Sequence, residues 1–357
     1  MTHARQQRAN ALLADHQLDA LVLCARENLR YLCGFTGSDG VLLLTAEASV
    51  FLSDSRYTTQ ARAQVAADRI VEYRVQAEGV VSALREAAPR RIGFESGLAY
   101  GKVSDLRARG ESCWEWVALG DELECLRLTK SAEEVAAIEA ATRLNALAFA
   151  EIEPLIRPGA VERELALALE FALKRRGAEE KAFDFIVASG PRGALPHGVA
   201  GDRRLQAGEL VTFDFGCRVD GYHSDETVTV ALGEAPEPMR RVFDTVLHAH
   251  DLAVAAVVPG LPLADLDRVA REAIAAAGYG DYFGHGLGHG VGLAVHEAPT
   301  VSPRSKAVVR PGMVFTVEPG IYLPGVGGVR IEDMVLATDD GARVLTRIPK
   351  QFRNLTA

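Results

Sequence analysis

The chain has 357 residues, 48% hydrophobic and 24% charged, a composition ordinary for a soluble protein and a length that favours two domains. Its net charge of −9 argues against nucleic acid or an anionic membrane as the main partner. No apolar run reaches the roughly eighteen residues of a membrane span, MTHARQQRAN lacks the apolar core of a signal peptide, and the five cysteines include no CxxC pair, so reduced thiols and a cytoplasmic location are expected.

The first part of the chain alternates strand-like runs with helical stretches. DALVLC (19–24), VLLLT (41–45), SVFLSD (49–54), IVEYRV (70–75) and RIGFES (91–96) have strand character, and SRYTTQARAQVAA between two of them has helical character. This pattern predicts an α/β domain. A polar stretch over residues 120–128 is the candidate boundary, which divides the chain into domains 1–125 and 126–357. Ser131 and Glu134 then have the spacing of a capping box, opening a long helix that should run to about Pro154.

The second part contains a repeat. QAGELVTFDFG (206–216) aligns without a gap on RPGMVFTVEPG (310–320), matching Gly208 to Gly312 and Thr212 to Thr316, and setting Asp214 opposite Glu318. Upstream, each copy closes a helical stretch with Pro-Gly (Pro158-Gly159 and Pro259-Gly260), follows with a second helix pattern, and places a histidine (His197, His296) before the acidic strand. This order predicts two related α+β halves with a cleft between them.

TFDFGCRVDGYHSDETVTV (212–230) has the form of a hairpin turning at Asp220-Gly221. That register pairs Val219 with Tyr222 and Asp214 with Thr227, making Asp214 and Asp225 diagonal neighbours on one face, about 7–8 Å apart. Arg330 and Glu332, two apart in GGVRIEDMVL, share a side for the same reason. Unpaired carboxylates in apolar strands are costly to bury. A solvated face or basic partners would relieve one such acid, but Arg330 is the evident cation among four. A metal cluster resolves the cost more completely. Carboxylates with one imidazole suit divalent manganese, cobalt or zinc, and four can hold two ions about 3.5–4 Å apart.

FGHGLGHGVGLAVHE (283–297) sets three histidines among alternating glycines. The spacing of His285 and His289 invites comparison with HExxH, but no Glu follows His285 and alternating glycine opposes a helix. In an extended chain the two histidines lie on one face, while the glycines allow another segment close to the backbone. One imidazole is then available as a ligand beside the acids. Cys217, the one thiol near these motifs, is expected to be buried filler.

FDFG…GYHSDET, GHGLGHGVGLAVHE, MVFTVEPGIY and GGVRIED, in this order, resemble the pita-bread metallopeptidases, and most of all the prolidase and aminopeptidase P type. The N-terminal stretches FTGSDG and FLSDSRYTTQA are similar to the creatinase-type N-domain. The resemblance implies an α/β creatinase-like domain followed by an α+β pita-bread catalytic domain with an internal pseudo-twofold repeat. It places metal ligands at Asp214, Asp225, His289, Glu318 and Glu332. His197 and His296 match histidines around the substrate, His285, Arg330 and Tyr322 match neighbouring supports, and Val228 departs from an arginine common in relatives.

The implied chemistry is hydrolysis of an Xaa-Pro bond by hydroxide bridging two divalent ions, manganese before cobalt or zinc. Glu318 would move the proton to the leaving nitrogen, with His296 and His197 at the developing oxyanion. The implied substrates are proline-containing dipeptides or short peptides, and a homodimer is implied as well. Arg304 matches a residue thought to meet a dipeptide's carboxylate, which with the short N-domain favours an Xaa-Pro dipeptidase over aminopeptidase P. A metal-free creatinase-like hydrolase or a non-catalytic peptide-binding module would tolerate losses at the five ligand positions, and all five are intact. Methionine aminopeptidase shares the ligand set but not the N-terminal domain.

Overall fold

The computed structural model describes residues 2–355. The chain divides into two compact units after Arg127. None of the described helices is long and apolar enough to cross a membrane.

The first unit is built on one six-stranded mixed sheet. Its strands lie in the order Arg69–Glu72, Ser49–Ser53, Val41–Thr45, Ala20–Leu23, Arg91–Glu95 and Glu115–Leu119. The central run Ala20–Leu23 is buried at every position, as a strand covered on both faces requires. The helical run between the third and fourth of the strand-like stretches is confined to Thr58–Gln64. At the end of Arg91–Glu95 the Glu95 carboxylate accepts hydrogen bonds from the backbone N–H of Cys24 (2.7 Å) and Ala25 (2.9 Å) and from the Asn28 amide (2.7 Å). That clasp fixes the turn into the helix Arg26–Cys33. Residues 121–127, within the polar boundary stretch, form a short helix and a 3-10 turn.

The second unit shows the repeat as structure. The first half has helices Ala132–Ile152 and Glu162–Arg175, and the second has Glu237–Ala256 and Leu263–Ala276. The Ser131–Glu134 capping box forms as the spacing predicts. Gly159 and Gly260 lie in the connection between the two helices of each pair with φ of 89° and 86°, a region open to glycine at little cost. Their N–H groups donate to equivalent carbonyls, Leu205 O (2.8 Å) and Val309 O (2.9 Å).

The strand Leu210–Phe215 lies between Ile186–Ser189 and Glu226–Ala231 in a three-stranded antiparallel sheet. In the second half, Val314–Val317 lies inside a five-stranded sheet running Glu297–Val301, Gly288–Gly290, Val314–Val317, Asp333–Thr338 and Gly341–Val344. Each half largely packs its own core. One cluster gathers Phe149, Leu169, Phe213 and Val228; the other gathers Phe243, Leu266, Phe315 and Val335.

Candidate active site

Strand alternation separates core from site in both halves. Phe213 and Phe215 point into the first core, against Phe149 at ring distances of 5.5 and 5.9 Å. Thr212 and Asp214 therefore face the other way. In the second half Phe315 and Val317 enter the core, leaving Thr316 and Glu318 to the site. The predicted hairpin register is observed, with Val219 opposite Tyr222 and Asp214 opposite Thr227. Asp220 and Gly221 both take positive φ, 46° and 72°, as a two-residue turn of this hand requires.

The hairpin is not one continuous ladder. It breaks at Gly216, where an added Cβ would lie 1.8 Å from the Ser224 carbonyl oxygen, so the tip joins a separate small sheet. The strand carrying Arg330 also stops earlier than expected. Gly327–Arg330 ends there, and the next strand begins at Asp333, with Glu332 in the crossing between two sheets. Arg330 and Glu332 nonetheless face one side: both bond to Thr227 Oγ1, Nε donating at 3.2 Å and Glu332 Oε2 accepting at 2.6 Å.

A cavity of about 640 Å³ within the second unit collects the acids and histidines. Three overlapping groups have ligand atoms within 4.8 Å of one another: Asp225, His289 and His296; His289, Glu318 and Glu332; Asp214, Asp225 and Glu332. His289 Nε2 lies 3.3 Å from Glu318 Oε1 and 3.6 Å from Asp225 Oδ2. The His296 ring stands edge-on to His289, with centroids 4.1 Å apart. All five candidate ligands thus come to one place.

The donor set fits divalent ions. His289 Nδ1 is 3.1 Å from the Gly290 carbonyl, an acceptor that fixes the proton on Nδ1 and turns the Nε2 lone pair toward the acids. Asp214 Oδ1 is buried without a hydrogen-bond partner. Apart from the exposed Asp184, four carboxylates share the cavity with one guanidinium and a few imidazoles, and the uncompensated negative charge is visible in their proton affinities. Burial, and then the Glu332 and Asp214 charges, push Asp225 well above the usual carboxylate range. Burial, followed by the Glu318 and Asp214 charges, does the same to Glu332. Burial raises Asp214 more than Arg330 lowers it. With no ion bound, burial of Glu318 is overcome by the hydrogen bond and charge of a doubly protonated His289, whose Nε2 proton an ion would replace, and these hold Glu318 at about 2. Correspondingly, burial alone would lower His289, and Glu318 raises it. Bound divalent cations relieve this crowding in the way hard oxygen donors require.

The supporting groups form a chain. Arg330 Nη2 donates to Asp214 Oδ2 at 2.5 Å, and Nη1 donates to the Tyr322 hydroxyl at 2.9 Å and to the Pro196 carbonyl at 3.2 Å. One acid therefore does have a basic partner, as the simpler reading of a buried acid anticipates. His285 Nδ1 lies 2.7 Å from the Gly286 carbonyl and so carries the proton, leaving Nε2 to accept from Tyr322 at 3.0 Å. Burial lowers His285 and keeps it neutral, consistent with that tautomer. Burial also lowers His296. His197 is exposed on the loop before the Asp214 strand and lines the cavity with Pro196 and Val199.

The glycines around the histidines serve backbone approach. Only Gly288–Gly290 forms a strand, and an added Cβ at Gly288 would lie 2.0 Å from the Thr316 carbonyl oxygen. The approaching segment is thus the Glu318 strand itself, and Thr316 Oγ1 ties the two by accepting from His289 N–H and donating to Glu318, both at 3.0 Å.

Arg304 is not brought to the cavity. It is exposed in the turn after Glu297–Val301, and Thr300 and Ser302 supply the lining there. Val228 packs into the first core opposite Phe213, and Cys217 is fully buried as filler. Sequence reasoning missed the anchors Thr227 and Thr316, although Thr316 matches Thr212 in the repeat. It also missed Glu226, Asp333 and Lys350 behind the site.

The chain matches the model of metallopeptidase family M24 over residues 136–339 and that of the creatinase/prolidase N-terminal domain over residues 5–129. It is 37% identical to the Xaa-Pro dipeptidase of Pyrococcus horikoshii over 343 residues, 94% of this chain and 95% of that one. A solved Xaa-Pro dipeptidase from Bacillus anthracis superposes with a TM-score of 0.96 at 37% identity, covering 99% of both chains. A solved X-Pro aminopeptidase from Thermotoga maritima gives 0.90 at 34% identity, again covering 99% of both.

Proposed function

The chain belongs to metallopeptidase family M24, and from that premise we propose that it is a dinuclear metal-dependent exopeptidase cleaving the Xaa-Pro bond of dipeptides. The observation that carries this reading is the convergence of Asp214, Asp225, His289, Glu318 and Glu332, drawn from both halves of the unit, on one cavity. These five would hold two divalent ions, manganese before cobalt or zinc. Ions held there supply a Lewis acid for the scissile carbonyl and an activated water at neutral pH.

The remaining roles belong to the chain's own groups. Glu318 accepts a proton from the attacking water and delivers it to the proline nitrogen as the bond breaks. His296 and His197 line one wall, where N–H groups meet the developing oxyanion and orient the peptide. Arg330 fixes Asp214, and through Tyr322 it fixes His285, so the acids keep one geometry while substrate enters.

A second reading, removal of an N-terminal residue before proline from longer peptides, is favoured by one observation. Arg330 is the one Lys or Arg side chain among the described lining residues, and Asp214 and Tyr322 already engage it. A dipeptide's carboxylate would therefore have to be received by His197 or His296. The test is proline release from Ala-Pro by chelator-stripped protein, with and without manganese, beside Ala-Pro-Ala. Manganese-restored cleavage of Ala-Pro, absent in Asp225→Ala, supports the dipeptidase; cleavage of the tripeptide alone selects the second reading. Failure with both substrates under every metal rejects the peptidase.

A further inference from the structure

Two of the five ligand positions are followed directly by another acid: Asp225 by Glu226, and Glu332 by Asp333. Alternation along an extended chain turns each follower away from the cavity. Glu226 and Asp333 accordingly lie on the far side of their strands, both buried, one in each half of the unit. Between them lies a single cation from the C-terminal segment. Lys350 Nζ is 2.7 Å from Glu226 Oε1 and 3.4 Å from Asp333 Oδ1, with its side chain 6% exposed.

The same segment makes further ties to both strands. Ile348 N–H donates to Glu226 Oε1 at 3.0 Å, Thr346 Oγ1 donates to Asp333 Oδ1, and Leu345 N–H donates to the Met334 carbonyl at 2.9 Å. On the helix side, His250 Nε2 stands 3.2 Å from Asp333 Oδ2. Glu226 Oε2 is buried without a hydrogen-bond partner, so that acid depends heavily on Lys350. On the cavity side the two strands meet again, Glu332 N–H donating to the Thr227 carbonyl at 3.2 Å.

We propose that Lys350 is a positioning residue for the metal centre: bridging Glu226 and Asp333 from behind, it sets the separation of Asp225 and Glu332. A buried ammonium between two carboxylates on different sheets resists either strand moving apart, because a displaced acid would be left uncompensated. The ligands one residue away inherit that constraint through the backbone. The inference rests on the metal-site reading above, and its test separates the two.

Lys350→Met keeps an unbranched side chain one atom shorter and removes the charge. Manganese binding to chelator-stripped protein is measured by calorimetry, and the low-temperature electron paramagnetic resonance of the loaded protein reports whether the ions form a coupled pair. Lys350→Met is expected to bind manganese about 10–100-fold more weakly than the native chain and to replace the coupled signal by that of isolated ions. Native affinity and an intact coupled signal in a folded Lys350→Met protein overturn the proposal, whatever its melting temperature. Should that variant not fold, Glu226→Met decides. It leaves Lys350 and Asp333 as a balanced pair while cutting the tie to the first half, and it must weaken manganese at least about 10-fold for the proposal to stand. If the native chain itself binds no divalent ion, the metal-site reading fails first, independently of either variant.

Discussion

The two halves of the second unit share a frame and differ in what they place on it. Each connects its two helices through a glycine at positive φ, each sends two apolar side chains from its acidic strand into its own core, and each turns a threonine and an acid toward the cavity. The cationic and basic groups are unequally shared. Arg330, His285, His289 and His296 all come from the second half, and the first contributes His197 from an exposed loop. Asp214 is paired across the cleft by Arg330, whereas Glu318 is paired within its own half by His289. Symmetry thus supplies the frame, and asymmetry supplies roles: one acid fixed by a permanent cation, the other beside an imidazole.

The sharpest break in the comparison should come from Glu318→Gln against the native chain. If the second-half acid is the proton carrier, kcat falls by about 10²–10⁴-fold with manganese saturating. A loss repaired entirely by more metal would make Glu318 a ligand and nothing further. In contrast, Phe213→Ala and Phe315→Ala probe the shared frame. Both rings are fully buried on the core face of their acidic strands, Phe213 just before Asp214 and Phe315 three residues before Glu318, so each should cost about 3–5 kcal/mol in chemical denaturation. Unequal losses well beyond that spread would show that the halves are not energetically equivalent.

Much of this was legible in the letters because it depends on short-range rules. The Asp-Gly turn sets a register, the register puts Asp214 and Asp225 on one face, and the repeat carries the argument to Glu318. The misses share a physical cause. The break at Gly216 arises from a backbone approach that depends on which strand lies opposite, and no local pattern encodes it. Lys350 is 124 residues from Glu226, and a lone lysine near a chain end reads as a solvated charge until the tertiary contact is seen. Arg304 illustrates the converse: spacing alone cannot say whether a turn residue points toward a cavity.

Metal removal tests the crowding of the acids through pH. In the metal-free protein Asp225 and Glu332 have folded-state values above their unfolded ones, so their ionisation opposes folding. Stability of the stripped protein should rise as pH falls toward those values, since the folded state binds the protons more tightly. The loaded protein should behave oppositely, because protons compete with the ions for the same oxygens. At a free metal concentration 100 times Kd, each ion adds about 2.7 kcal/mol near neutrality, and the gap between loaded and stripped melting curves should close on acidification. A gap that widens in acid would mean that the cavity acids are not the binding groups.

Tyr322→Phe is the smaller test of asymmetry. It deletes one hydroxyl that accepts from Arg330 and donates to His285, a chain with no counterpart in the first half. Removing an outer partner of this kind should lower kcat/KM by about 10-fold while leaving the fold intact.

The smallest expected effect concerns how each half begins its first helix. Ser131 caps Ala132–Ile152 with a full capping box, whereas Glu237–Ala256 starts after Pro236 with no side-chain cap. Ser131→Ala should therefore cost about 1 kcal/mol, a melting shift of about 2–4 °C for a unit of this size, with kcat unchanged. Glu134→Ala should cost more than the cap alone. Its second carboxylate oxygen accepts from the Tyr222 hydroxyl at 2.8 Å, and Tyr222 is at the hairpin tip, three residues before Asp225. If Glu134→Ala lowers manganese affinity where Ser131→Ala does not, the cap in the first half also steadies the Asp225 hairpin. Equal effects of the two variants would reduce it to a helix end.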